Sequence, residues 1–341
     1  MSFELFLFIG LAVAFAAWLF FRNRTLKVQV SNDLKPFKLD HDYAFGRGFP
    51  GLDKLAAQAF VQAAEQGDAE AYAALGFMHI SGIHFEKSIS EAVKWYKLAA
   101  EKEHPLALNM LSYLYAAGEG VPKDEKLAVQ MCQKAAELGQ LEAQRNLANM
   151  LLEGKNGFAK NSALAAEWYG KAAKGGNVDA QLSLAHLYYD GDGVPQDYEE
   201  AERLYELAAQ QGNINACHML GAIYDMGTDK HSVDKIKAFP WFLMAAEKGH
   251  KESQTSVGFA YLFGDGVPED RAMAAIWFEK AASQDDSQAE FALGNMYLNG
   301  WHFEQNRGVA KEYFQRASLR GNKAATDALD GIYQSDADKK H

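Results

Sequence analysis

The sequence predicts an all-α solenoid, and three observations carry that expectation. One seven-residue phrase returns at a constant interval: GEGVPKD from Gly118, GDGVPQD from Gly191 and GDGVPED from Gly264, each 73 residues after the last. Alanine-rich segments such as KLAVQMCQKAAELG, EEAERLYELAAQQG and IKAFPWFLMAAEKG end at positions 67, 103, 139, 176, 212, 249, 285 and 321, steps of 36 or 37 that make the 73-residue interval two units. Between them apolar residues recur four apart, on one helix face. A single active site needs one copy, whereas seven near-register copies of this length describe stacked helical hairpins.

The elements follow in chain order. Residues 5–21, LFLFIGLAVAFAAWLFF, carry no charge. With their flanks they are long enough, at roughly 1.5 Å per residue, to cross a bilayer core of roughly 30 Å. A transmembrane anchor is therefore expected at 3–21. A cleaved signal peptide is the rival reading, but the start carries Glu4 and no Lys or Arg, while Arg22, Arg24 and Lys27 follow. That charge order favours an uncleaved single-pass anchor with its C-terminal side in the cytoplasm, a periplasmic repeat domain being the alternative. Residues 22–50 read as a linker. The solenoid is expected over 51–333, with a capping helix at 51–67, repeats at 68–321, a second capping helix at 322–333 and a disordered tail at 334–341.

Each repeat reads helix, loop, helix. In the first helix an apolar residue recurs at Leu75, Leu111, Leu147, Leu184, Leu220, Val257 and Leu293. Four before it stands Ala, with Ser253 the exception, and after it something small: Gly76, Ser112, Ala148, Ala185, Gly221, Gly258 or Gly294. Gly inside a helix costs about 1 kcal/mol relative to Ala, so the small slot implies a neighbouring helix pressed against it. The second helix opens its core face with Ala92, Ala128, Ala165, Ala201, Ala238, Ala274 and Ala310, and sets a bulky residue three later: Trp95, Met131, Trp168, Leu204, Trp241, Trp277 or Tyr313. Pro240 falls inside one second helix and is expected to delay or bend it. The GxGVPxD loop leaves a helix through a glycine, tucks Val121, Val194 or Val267 under the turn, and starts the next helix near Pro and Asp. The alternate loops SGIHFEKS, EGKNGFAKNS, MGTDKHSVDK and NGWHFEQN keep a Gly but lose the pattern, so they are expected to be less regular.

Composition removes several function classes. The chain has 341 residues, 48% hydrophobic and 23% charged, with a formal charge of −11. It shows no long basic run, which excludes a nucleic-acid face. Cys132 and Cys217 are 85 residues apart without neighbours at metal spacing, so they read as buried free thiols. The stretch from Ser232 to Lys235 fits Ser-x-x-Lys, but its Ser-Asp-Asn and Lys-Thr-Gly partners are absent. DGDG at 190–193 lacks the alternating ligands of a calcium loop. His84 and His302 occupy equivalent loop slots too far apart to share a metal. No cofactor, metal or small-molecule substrate is expected.

The Ala, Leu-Gly-x-x-Tyr, Gly-x-Gly-Val-x-x-Asp and Lys-Ala-x-x-Trp-Tyr-x-Lys-Ala-Ala-x-x-Gly phrases resemble the Sel-1-like repeat family, a relative of the tetratricopeptide repeats, over about residues 52–333. The resemblance implies a right-handed α/α superhelix used for protein–protein contact, commonly in bacteria, and hence an inner-membrane location for an anchored member. It also implies that the first helices line the concave side. Two lanes then face a partner. One holds Phe77, Tyr113, Asn149, His186, Ala222, Phe259 and Asn295. The other holds Ala73, Asn109, Arg145, Leu182, His218, Thr255 and Phe291, and only Arg145 carries a firm charge. The expected partner-binding residues are Phe77, Asn109, Tyr113, Arg145, Asn149, His186, His218, Phe259, Phe291 and Asn295. The expected function is a non-enzymatic, membrane-anchored scaffold. Two alternatives stand beside it: an immunity protein that neutralises a secreted effector such as a phospholipase, as some members of the family do, and, last, a hydrolase of the β-lactamase type.

Overall fold

The structure, a computed structural model, describes residues 52–227 and 232–338. The expected anchor at 3–21 and linker at 22–50 lie outside those residues. Among the described residues there are sixteen helices and no strand, and no helix is long and apolar enough to cross a membrane.

The chain's contacts fall into two units divided between Gly175 and Gly176. The first unit holds α1 (Leu52–Glu65), α2 (Ala69–Ser81), α3 (Ile89–Glu101), α4 (Pro105–Ala117), α5 (Glu125–Glu137), α6 (Leu141–Glu153) and α7 (Ser162–Lys174). The second holds α8 (Val178–Asp190), α9 (Tyr198–Gln210), α10 (Ile214–Met226), α11 (Lys235–Glu247), α12 (Lys251–Phe263), α13 (Arg271–Ala282), α14 (Ser287–Asn299), α15 (Arg307–Leu319) and α16 (Lys323–Asp338). Within each unit every helix packs on its chain neighbours. Among the described residues, α1 is a second helix with no first helix before it, and α16 a first helix with no second after it. The last helix runs to Asp338, beyond the end expected at 333.

Capping sets the boundaries. First helices begin behind Asp68, His104, Gln140, Asn177, Asn213, His250 and Asp286, each of which accepts a backbone N–H of the first turn. Second helices begin behind Ser88, Asp124, Asn161, Asp197, Asp234, Asp270 and Asn306 in the same way. Each such cap is worth about 1 kcal/mol. In GxGVPxD the Asp is the cap itself, and the Val beside it is half-buried.

The alternate loops are more regular than their sequences suggest. In all seven loops the N–H of the cap residue returns to a carbonyl near the end of the first helix, as in Ser88 to His79, Asp124 to Tyr115, Asn161 to Leu151 and Asn306 to Tyr297. Where GxGVPxD has its second glycine, the alternate loops set His84, Asn156 and His302 at φ 64°, 56° and 70°. Those histidines are turn residues, their rings laid edge-on against Phe85 and Phe303. The loop after α10 departs from the rest at Gly227, whose ψ is 172°.

The core corrects one expectation from the sequence. Apart from the alanines, the side chain that every second helix buries stands four after its first alanine, not three: Tyr96, Cys132, Tyr169, Tyr205, Phe242, Phe278 and Phe314 are all at most 6% exposed. The bulky residues of the expected slot are mostly half-buried, Leu204 and Trp277 excepted. The deep slot faces the small slot of the first helix. A β-carbon at Gly76, Gly221, Gly258 or Gly294 would come within 2.5–2.7 Å of Tyr96, Phe242, Phe278 or Phe314. The small-slot residues that carry a β-carbon, Ser112, Ala148 and Ala185, belong to the repeats whose deep residues are Cys132, Tyr169 and Tyr205. Pro240 does not delay its helix, which starts at Lys235 behind the Asp234 cap and carries the proline on its exposed side.

Further bonds tie one hairpin to the next. The last carbonyls of a second helix lack intrahelical partners. Gln144 Nε2 reaches Ala136 O at 3.1 Å and Gln254 Nε2 reaches Ala246 O at 3.1 Å. In the final repeat the equivalent residue is Glu290, fully buried, which cannot donate. There Arg316 Nη2 pairs with Glu290 Oε1 at 2.7 Å and lies 3.5 Å from Ala282 O, the carbonyl a glutamine would have taken.

Two outcomes follow from this packing. Gly294→Ala forces a methyl onto the Phe314 ring and should destabilise the protein by about 1–3 kcal/mol in a urea titration. A cost under about 0.5 kcal/mol would show that the ring can step aside. Glu103 holds the connection between α3 and α4 at φ 55°, where six of the other seven positions at this period are glycine. Glu103→Gly should therefore stabilise by about 0.5–1 kcal/mol, the left-handed strain outweighing the added freedom of the unfolded chain.

Candidate functional site

The first helices place the ten expected partner-binding residues in two groups, one per unit. None of the ten is exposed: Asn109 is buried at 3%, and the other nine are half-buried.

In the first unit, Phe77 and Tyr113 stand on α2 and α4, and Arg145 and Asn149 on α6. The Tyr113 hydroxyl accepts a bond from Asn146 Nδ2 on the next first helix, and burial holds its proton more tightly than usual. The Asn149 Oδ1 accepts the hydroxyl proton of Tyr169 from α7. The single firm charge, Arg145, is turned along its own helix to Glu142, with Nη2 3.0 Å from Oε2. Asn109 departs from the expectation. It is buried on α4 itself.

In the second unit, His186 on α8 sets Nδ1 2.7 Å from the Tyr205 hydroxyl of α9, and burial lowers its affinity for a proton. His218 on α10 sets Nδ1 2.9 Å from Ser253 Oγ on α12 and lies 4.5 Å, ring to ring, from His250. Phe259 packs edge-on against the buried Phe278, Phe291 packs on Phe314, and Asn295 lies a turn further along α14.

The lanes thus do two jobs. Asn149 and His186 satisfy the hydroxyls of Tyr169 and Tyr205, two of the three tyrosines at the deep slot. What they leave outward is aromatic edge and amide, with the one cation neutralised. Residues the sequence reasoning passed over extend this surface. Phe263, the last residue of α12, is 62% exposed and stacks on Phe259 at 6.0 Å and 2°. Met226 holds the equivalent place on α10 at 64%. The signal was available: other first helices end in Ser81, Ala117, Glu153, Asp190 and Asn299.

The Lys235 ammonium of the Ser-x-x-Lys match is bound to Asp225 at 2.7 Å, with Asp265 at 3.8 Å. Among the described residues no group of three or more His, Cys, Asp or Glu is placed to hold a metal ion. Cys132 and Cys217 are buried and unpaired with each other, and burial pushes the Cys132 thiol up to about 11.

Comparison with known proteins agrees with this architecture. The Sel1 repeat model matches seven consecutive stretches: 69–104, 105–140, 141–177, 178–213, 214–250, 251–286 and 287–322. A protective antigen of uropathogenic Escherichia coli, described as displaying an SLR fold, is 32% identical with a TM-score of 0.73, covering 81% of this chain and 59% of that one. A Sel1 repeat protein of Oxalobacter formigenes is 30% identical with a TM-score of 0.60, covering 84% and 83%. A protein of Neisseria meningitidis is 30% identical over 261 residues, 68% of this chain and 47% of its own length. Chitin synthase regulatory factor 3 of Schizosaccharomyces pombe is 28% identical, and the chain spans 24% of its length.

If the lane amide is a structural partner of the deep tyrosine, the pair is coupled. Asn149→Ala orphans a buried hydroxyl and should cost about 1–3 kcal/mol, while the same change in a Tyr169→Phe background should cost at least about 1 kcal/mol less. Equal costs in both backgrounds would remove the coupling.

Proposed function

We propose, from the premise that this chain belongs to the Sel1 repeat family, that it is a non-catalytic scaffold holding a partner protein along the first helices of its repeats. The observation that carries this reading is the character of the lanes. Apart from the buried Asn109, the ten residues are half-buried aromatics, histidines and amides whose one firm charge, Arg145, is already paired. A surface meant only for water carries more charge, and depletion of charge with aromatic enrichment marks the centre of protein interfaces. Among the described residues Phe263 is the one phenylalanine, tyrosine or tryptophan ring that stands exposed, and it is stacked on Phe259. An anchor at 3–21 would hold this surface beside a membrane. A toxic effector as the bound protein would make the scaffold an immunity protein.

The test uses the full chain in its native cells. Partners captured by the wild type are identified, and Phe263→Glu and Arg145→Glu are compared with it after equal helical circular dichroism is confirmed. The expected result is at least about a tenfold loss of one specific partner with Phe263→Glu, equivalent to about 1.4 kcal/mol. Undiminished capture by both variants would remove the first helices as the docking face. Protection of cells from a co-expressed effector, lost with the same variant, would select the immunity form.

A further inference from the structure

Ser253 is the one departure from alanine at the position four before the central apolar residue, and the fold does not explain it. The equivalent alanines, among them Ala71, Ala107, Ala143, Ala180, Ala216 and Ala289, are fully buried, and so is Ser253. A hydroxyl there needs a partner. It has two, and both are histidines: Ser253 Oγ is 2.9 Å from His218 Nδ1 and 3.0 Å from His250 Nδ1.

One arrangement of protons satisfies all three contacts. His250 caps α12, its Nδ1 accepting the Ser253 backbone N–H at 3.2 Å, so that nitrogen carries no proton. The Ser253 hydroxyl then donates to His250 Nδ1, and His218 Nδ1–H donates to Ser253 Oγ. A one-way chain thus runs from α10 to α12, with both rings neutral and stacked at 4.5 Å. We propose that His218, Ser253 and His250 form an acid-sensitive tie between α10 and α12, which releases the N-terminus of α12 when His250 Nδ1 takes a proton.

The surroundings oppose a proton. Burial is the main cause, and each charged ring would face the other; His218 is lowered to about 4, and His250 is also lowered. The groups that act on the rings lie on α12 itself: Glu252, whose carboxylate is 3.6 Å from His250 Nδ1, favours the proton, and Lys251 opposes it. Helix α11 turns the Phe242 ring to His218, and α13 turns Phe278 to α12. Helix α9 brings Glu202 to Tyr224, and Asp286 before α14 is engaged by Thr255 and its own cap bond. Because both rings are lowered in the fold, the unfolded chain binds more protons in acid. The stability of the tie is complete above the ordinary histidine value of 6.5 and is lost as pH falls below it through the lowered value of His250.

His218 stands in the docking lane proposed above, so the tie would couple acidity to that surface; the measurement itself needs no partner and can fail or succeed independently of it. Amide hydrogen exchange is followed in the full chain from about pH 7.5 to about pH 4.5, corrected for intrinsic rates. In the wild type, protection at Ser253 and Gln254 should fall by more than about tenfold relative to Ala180 and Ala216, whose helices are capped by Asn177 and Asn213. His250→Asn supplies an amide cap like those of Asn177 and Asn213, so it should fold and lose the acid-dependent part, while Ser253→Ala, which keeps the His250 cap but not the hydroxyl that donates to it, should fold and lose protection at higher pH than the wild type. Wild-type protection at Ser253 that tracks Ala180 and Ala216 throughout would overturn the proposal, as would a His250→Asn protein with unchanged acid dependence.

Discussion

The structure depends on one contact: the flat side chain of a second helix pressed into the gap left by a missing or minimal side chain on the first. At Gly76, Gly221, Gly258 and Gly294 there is no room for even a β-carbon beside the ring. Such packing brings two backbones close and fixes their register, because a slip of one residue would set a larger side chain against the ring. A glycine inside a helix weakens that helix by about 1 kcal/mol, so its recurrence shows that tertiary packing rather than propensity holds these hairpins together. Single hairpins of thirteen-residue helices have too little core to stand alone, and repetition supplies the rest.

The same contact explains the chemistry of the lanes. Where Ala148 or Ala185 takes the small slot, the deep residue is tyrosine, and its hydroxyl needs a partner. Asn149 and His186 supply one. Where the deep residue is phenylalanine, the lane carries Ala222, Phe259 or Asn295 without such a bond to it. The outward surface is therefore shaped by what the core demands beneath it, and partner recognition is confined to the portions the core leaves over. Phe263 and Met226, beyond the reach of the deep slot, are freer of that constraint and more exposed.

Much of the fold was legible because it is written in periods. The 36-residue step, the helix pairs, the orphan helices at either end and the small slot could all be read from Leu75, Gly76 and their equivalents. The deep slot was misplaced by one residue because tryptophan at 95, 168, 241 and 277 is larger than its neighbour, and size was taken for depth. The side chain one position on points inward by a further 100° of helical turn. The alternate loops were misjudged because His84, Asn156 and His302 do not look like glycine, although their backbone does the same thing. The candidate site was read only in part. Helical angle gave the lanes but not their burial, which depends on neighbouring repeats, and so Asn109 was counted as surface. The link from His218 through Ser253 to His250 spans two repeats, and only the odd serine hinted at it.

The central claim is that partners meet the first helices and not the second. A photoactivatable phenylalanine placed at Phe263 or at Ile276, which is 44% exposed on α13, tests it in intact cells without disturbing the core. The account predicts a discrete cross-linked protein from position 263 and none from 276. A product from 276 alone would place recognition on the opposite helices and contradict it.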